Sequence, residues 1–377
     1  MKRKLKVVLG LAVVVAMFSS SLAHAMESPA NVETLAGTGS HGVYDGMAAR
    51  FNLPLGIVSR HGGEILVADT FNSLIRAVDG NGFVSTLSLH FPEFDESGFP
   101  IGGFGDREIA GAFFNRPSGF AEFLGWVFVA DTNNHTIRVI VEDRAYTMAG
   151  GREAGFADGV RMEARFSYPS AVAVCPRGFF YVADTGNHVI RRIDHAGNVT
   201  TVAGTPGEHG YQNGEAGSAL FDSPMGILFC DDGRLFVADM GNHVVRVIEN
   251  GYVSTFAGSR VALEGEGMDE WEIAAGGFLD GNASDALFNM PMGLALWGGM
   301  LFVADSSNHV IRAVVDGTEV ITVAGTGYPG HTDGSFLDAA FFLPGGLYVL
   351  GDMLLVADTG NNMIRRIDLN ALAGVLE

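Results

Sequence analysis

Positive charge is scarce in this chain: Lys and Arg number 23 among 377 residues, against 43 Asp and Glu, for a formal charge of −20. Four of the basic residues, Lys2, Arg3, Lys4 and Lys6, stand at the extreme N-terminus, so the charge becomes −24 once those four are set aside. That balance argues against nucleic acid and anionic membrane surfaces as partners, since both are held by basic patches. Cysteine is nearly absent. Cys175 and Cys230 each follow a proline (Pro169, Pro224) by six residues and so hold equivalent places in neighbouring repeats. Equivalent positions at about 8 to 10 Å exceed the roughly 7 Å Cα limit of a disulfide, and both are read as buried thiols. No apolar run reaches the roughly 20 residues that span a bilayer. The N-terminal run, residues 7–18, is followed by Ala23-His24-Ala25, and the pattern predicts a secretory signal peptide over residues 1–25. No cysteine follows the run to take a lipid. Also missing are G-x-S-x-G, H-E-x-x-H, a P-loop and any clustered Cys/His motif.

What the chain has is repetition. VADTGNHVIRRID, beginning at Val182, recurs in close variants beginning at Val67, Val129, Val237, Val303 and Val356. Every copy keeps Asp, then Asn three later, then Arg four after that. The triplets are Asp69/Asn72/Arg76, Asp131/Asn134/Arg138, Asp184/Asn187/Arg191, Asp239/Asn242/Arg246, Asp305/Asn308/Arg312 and Asp358/Asn361/Arg365. About 15 residues earlier each repeat carries Phe, Pro and usually Gly: Phe51/Pro54/Gly56, Phe114/Pro117/Gly119, Phe166/Pro169, Phe221/Pro224/Gly226, Phe288/Pro291/Gly293 and Phe341/Pro344/Gly346, with Ala171 standing in for Gly in the third. A V-x-T-x-A-G element follows the triplets at 199–204, 253–258 and 320–325, in weaker form at 84–88 and 146–150, and an orphan copy stands at 32–37.

Each repeat holds four short β-rich runs joined by Gly- and Asn-bearing turns, which predicts a four-stranded antiparallel meander, one blade of a propeller. The Asp-to-Asp spacings of 62, 53, 55, 66 and 53 place six blades between residue 31 and about residue 370. The sixth lacks a clear last strand, and the orphan N-terminal copy is expected to supply it, closing the ring and covering an open edge. These motifs resemble the NHL-repeat family, whose name matches Asn187-His188 and its successors here, and the D-G-x-x-x-A-x-F-x-x-P form is similar to the teneurin-type subset. The resemblance implies an all-β, six-bladed NHL β-propeller as a single domain over residues 26–377. NHL propellers include binding and scaffolding modules and a few enzymes, so fold alone does not choose a function. One enzyme of the resemblance, the zinc-dependent amidating lyase of peptidyl-hydroxyglycine, projects metal histidines into its central cavity. The six innermost strands expected here contain no histidine.

The six triplets are read as structural, because a group repeated in every blade builds the blade. The Asp is expected to accept from the backbone of the turn that carries Asn, and the Arg to return to a carboxylate or stack on an aromatic ring. His135, His188, His243 and His309 begin third strands, two spacings of about 4.8 Å outside the innermost one. Neighbouring copies then stand about 15 Å or more apart, too far for metal bonds of about 2.0 Å. What differs between blades is more telling. Two connections are long, 87–113 and 259–287, and lie three blades apart on one face. Both are acidic and aromatic, and Phe94, Asp95, Asp106, Asp269, Trp271 and Asp280 are the candidate binding residues there. Between them, the residues after each repeat proline should ring the channel mouth, among them Met225 and Met292.

The expectation is therefore a secreted or periplasmic (cell-envelope) binding or scaffolding module that acts through its loop face on a protein, peptide or glycan ligand. A monomer is expected, with no membrane span, no catalytic residue and no metal ligand named. No cofactor is expected, although the acidic loops are compatible with a structural or loop-bound Ca2+. The competing expectation is a metal-dependent lyase or hydrolase with its site in the central cavity.

Overall fold

The computed structural model describes residues 31–60, 62–88, 102–262 and 274–376. Six antiparallel sheets of four or five strands follow one another in chain order, with a seventh, two-stranded one joining Val261–Ala262 to Ala274–Ala275 in the connection between blades 4 and 5. In the third, the strands run Pro169–Val174, Phe180–Asp184, Val189–Ile193 and Asn198–Ala203 from the axis outward. The runs are rich in Val, Ile and Ala because both faces of each blade are covered by a neighbour. Val182, Ala183, Val189 and Ile190 are fully buried. The core is accordingly divided among the seams between blades, as in the cluster joining Phe128, Phe166, Val172 and Val182.

Ring closure follows the orphan copy. Val32–Ala36 pairs antiparallel with Met363–Asp368 of the sixth blade, Val32 opposite Ile367 and Thr34 opposite Arg365. The remaining strands of that blade are Met353–Asp358 and Pro344–Leu350, so its sheet joins the two ends of the described chain. The four-strand expectation is exceeded in blades 2 to 5. There the segment after Asp106, Asp158, Asn213 or Asp280 adds a two-residue strand outside the outermost one, for instance Gly159–Val160 against Val199 and Asn198. Blades 1 and 6 keep only single bridges at that place, Gly46 to Val84 and Gly334 to Val32.

The Gly after each repeat proline is explained at the axis. A Cβ on Gly226 would stand 2.0 Å from the Met292 carbonyl oxygen of the next blade, and one on Gly346 would stand 2.0 Å from that of Leu55. Glycine lets the inner strands close to a Cα–H to carbonyl contact, which sets the width of the channel. In the third blade, where Ala171 replaces Gly, the neighbouring Met225 carbonyl instead accepts the Ser170 hydroxyl at 2.7 Å. The described chain ends in a helix, Leu369–Leu376, whose Leu369 and Leu372 are buried against the seam of blades 5 and 6.

Candidate functional site

The triplets form one network per blade. Arg191, fully buried, donates through Nη1 to Asp184 Oδ2 (2.7 Å) and the Arg165 carbonyl (3.0 Å), and through Nη2 to the Ala157 carbonyl and Asp158 Oδ1 (2.7 Å each). Its guanidinium lies between the rings of Phe156 and Phe166. Asp184 also accepts the Ser167 N–H and the Asn187 amide, and that amide donates again to the Gly155 carbonyl. Burial pushes the Asp184 carboxyl up to about 6, against the pull of Asn187 and Arg191.

The other five blades repeat the bonds within the triplet. Asn72, Asn134, Asn242, Asn308 and Asn361 each donate to Oδ2 of their own Asp69, Asp131, Asp239, Asp305 or Asp358 at 2.8 to 2.9 Å. The same amides reach the carbonyls of Gly42, Gly103, Gly210, Gly277 and Gly330 at 2.6 to 2.8 Å, which ties each turn to the connection that enters its blade. Arg76, Arg138, Arg246, Arg312 and Arg365, all fully buried, meet the same Oδ2 through Nη1 at 2.7 to 2.9 Å. One detail of the expected triplet is corrected. The aspartates do not cap the backbone of the Asn-bearing turn; they take that turn's Asn side chain and a backbone N–H about 16 residues upstream, such as Asn52 for Asp69 and Asp222 for Asp239. The turn has its own backbone bond, as from Ser73 N–H to the Thr70 carbonyl, and leaves the carboxylate free to gather the longer-range donors. The carboxylate oxygens, the Asn Nδ2 and the arginine Nη atoms of each triplet are committed inside their blade, while the arginine Nε is buried without a partner.

The two acidic connections meet this network. Asp106 binds Arg138 Nη2 at 2.9 Å and accepts the Thr147 hydroxyl. Asp280 pairs with Arg312 and accepts the Thr322 N–H. Both therefore hold their own blade's arginine, as Asp45, Asp158 and Asp333 do in blades 1, 3 and 6. Blade 4 has Asn213 in that place, on Arg246. Composition grouped Asp106 and Asp280 with the loops; their regular spacing to the following repeat Phe was the signal of this other duty. Phe94, Asp95, Asp269 and Trp271 lie outside the described residues.

The histidines seal seams. Each occupies a left-handed position (φ 55 to 59°), and its Nδ1 accepts a backbone N–H from the next blade. Tyr168 N–H donates to His135 (3.2 Å), Ser223 to His188 (3.0 Å), Met290 to His243 (3.0 Å) and Leu343 to His309 (3.2 Å). Ser73 and Asn362 do the same with oxygen, taking the N–H of Arg116 (3.2 Å) and Leu53 (2.8 Å). The neutral imidazole is the form that accepts, and burial lowers the basicity of His135, His188 and His309. Asp222 partly offsets this at His188, from 3.6 Å.

On the axis lies a cavity of about 350 Å³ walled by the six inner strands. Met225, Met292 and Leu55 line it together with Ser118 and Ser170. Both serine hydroxyls are spent: Ser118 Oγ is 2.7 Å from the Ser170 carbonyl and 2.6 Å from Thr132 Oγ1, and Ser170 Oγ is 2.6 Å from Thr185 Oγ1. Glu122 and Tyr348 also line the cavity, and neither was singled out from sequence. The Glu122 carboxylate accepts the Gly125 N–H, while burial raises the Tyr348 phenol. Among the described residues no group of three or more His, Cys, Asp or Glu is placed to hold a metal, and Cys175 and Cys230 are free and buried.

A family model for the NHL repeat matches residues 166–193, the stretch from Phe166 through the Asp184/Asn187/Arg191 network. This chain is an NHL-repeat β-propeller. NHL repeat-containing protein 2 of Bos taurus is 30% identical over 341 residues, 81% of this chain and 46% of the relative. Teneurin-4 of Mus musculus is 29% identical over 251 residues, covering 58% of this chain and 9% of that protein. The NHL chain thus spans about half the length of the first of these relatives. A solved auxiliary nutrient binding protein from Bacteroides ovatus shares the fold with a TM-score of 0.63 at 15% identity, over 89% of this chain and 76% of that one. Among the described residues of this NHL propeller, no helix is long and apolar enough to cross a membrane.

Proposed function

We propose that this NHL propeller is an exported binding module whose ligand enters the central cavity from the face carrying the six triplet turns. The supporting observation is the wall of that cavity: Ile57, Val172, Ile227, Leu294 and Leu347, with hydroxyls already bonded and no free charge at the mouth formed by Leu55, Met225 and Met292. A charged group would shed its hydration at a mouth that offers no counter-charge, the wall's one carboxylate, Glu122, lying at the far end on the Gly125 N–H, so the site favours a compact neutral apolar group presented by a protein, peptide or glycan ligand. A volume of about 350 Å³ suits one such group. Export, to the periplasm, the cell envelope or the medium, rests on the basic and apolar pattern of residues 1–25.

The test is titration with Nile red, a neutral solvatochromic dye. Saturable binding to the wild type, weakened about tenfold or more in Met225→Asp and Met292→Asp with unchanged melting, supports the reading. Binding that survives both changes overturns it. Metal analysis of the same preparation separates the competing enzyme reading, since a stoichiometric transition metal would favour a lyase or hydrolase in the cavity.

A further inference from the structure

On the face opposite the triplet turns, the hairpin joining the two inner strands of blade 2 departs from its five counterparts. It reads Phe123-Leu124-Gly125-Trp126, where the others turn through Gly62-Gly63, Arg177-Gly178, Asp232-Gly233, Gly298-Gly299 and Gly351-Asp352. Leu124 sits at φ 53°, a backbone conformation costly for a branched side chain, and it is 81% exposed, so burial does not offset that cost. Trp126 beside it is half exposed. With Val127 and Ile140 these residues wall a depression of about 580 Å³ between blades 1 and 2. Its rim carries Glu64, Glu142 and Asp143 against a single cation, Arg60, which is bound to Glu64. Glu142 and Asp143 have no cationic partner among the described residues.

We propose that this seam docks a basic segment of a partner protein, receiving an arginine whose guanidinium lies on Trp126 and pairs with Glu142 and Asp143 while neighbouring apolar groups cover Leu124. The planar, weakly hydrated guanidinium suits an indole face flanked by carboxylates. The chain's negative field draws cations toward it, and Leu124 and Trp126 side by side leave an apolar pair in the open for the partner to cover. The site is on the other face from the cavity mouth and does not depend on that reading.

The experiment is calorimetric titration of the full chain with the peptide Arg-Leu-Arg-Leu-Arg-Leu at physiological salt. Glu142→Gln/Asp143→Asn and, separately, Leu124→Gly should each weaken binding about tenfold or more. Leu124→Gly should also raise or preserve the melting temperature, because glycine accepts φ 53° without strain. Removing two charges at the equivalent turn of blade 5, by Asp316→Asn/Glu319→Gln, should leave binding unchanged. An equal loss in the blade 5 control would show adsorption by net charge and overturn the proposal, and so would full binding by Leu124→Gly.

Discussion

Acid should loosen this ring at its histidine seams, and replacing those histidines with asparagine should abolish the effect. The perturbation is His135→Asn/His188→Asn/His309→Asn, read by urea unfolding at pH 7.5, 6.0 and 5.0 with circular dichroism. Burial puts the folded basicity of the three rings below the ordinary value of 6.5, and each Nδ1 accepts a backbone N–H, which the neutral ring alone can do. Stability from these groups is fully present above pH 6.5 and is lost as pH falls through that value toward the lower folded one. Protonation removes an acceptor and sets two donors face to face. At about 1 kcal/mol for each hydrogen bond lost, three seams amount to roughly 3 kcal/mol, a large part of a stability of about 5–15 kcal/mol. Asparagine keeps the bond without titrating: Asn362 already takes the Leu53 N–H at 2.8 Å from the same left-handed position. Asp69, Asp184, Asp239 and Asp305, raised by burial to about 6, work in the other direction and add stability as pH falls from 6 toward 3.8. The wild-type profile therefore mixes two opposed slopes, and the difference between wild type and variant isolates the imidazoles. At pH 7.5 the two proteins should differ by less than about 1 kcal/mol, and by pH 5.0 the wild type should have lost roughly 3 kcal/mol relative to the variant. Parallel pH profiles for the two would refute the reasoning.

Two further outcomes follow from the same geometry. Arg191→Ala leaves Asp184 buried and without its cation, and should cost about 3–5 kcal/mol by denaturant unfolding; a change under about 1 kcal/mol would contradict its structural duty. Gly226→Ala drives a Cβ into the Met292 carbonyl, 2.0 Å away in the present backbone, and should lower the melting temperature far more than an alanine at Gly217, where nothing lies within 4 Å.

Much of the architecture was legible because repetition reports it directly. Six copies of the Asp-Asn-Arg spacing gave the blade count, and the orphan 32–37 copy identified the strand that completes the sixth blade. Local turn chemistry marked the strand ends, although the two-residue outer strands at 159–160 and its counterparts are too short to carry a pattern of their own. The candidate site was harder to read. Asn72 and Asn242 were recognisable as turn residues, yet their amides leave the turn for Gly42 and Gly210, about 30 residues back, which no local pattern announces. Asp106 and Asp280 looked like members of acidic loops because composition does not reveal which arginine a carboxylate faces, and Arg138 stands 32 residues beyond Asp106. Glu122 and Tyr348 belong to blades 2 and 6, and only closure of the ring brings them to one cavity.

Sequence alone determined the class of fold, since each repeat encodes a sheet that cannot bury both faces unless others stack beside it. Tertiary structure alone decided what the seams are made of. His188 meets the Ser223 N–H 35 residues away, and Asn362 meets that of Leu53 across 309. Such contacts depend on blade tilt and on the close approach permitted at Gly226 and Gly346, which are properties of the assembled ring and of no single repeat.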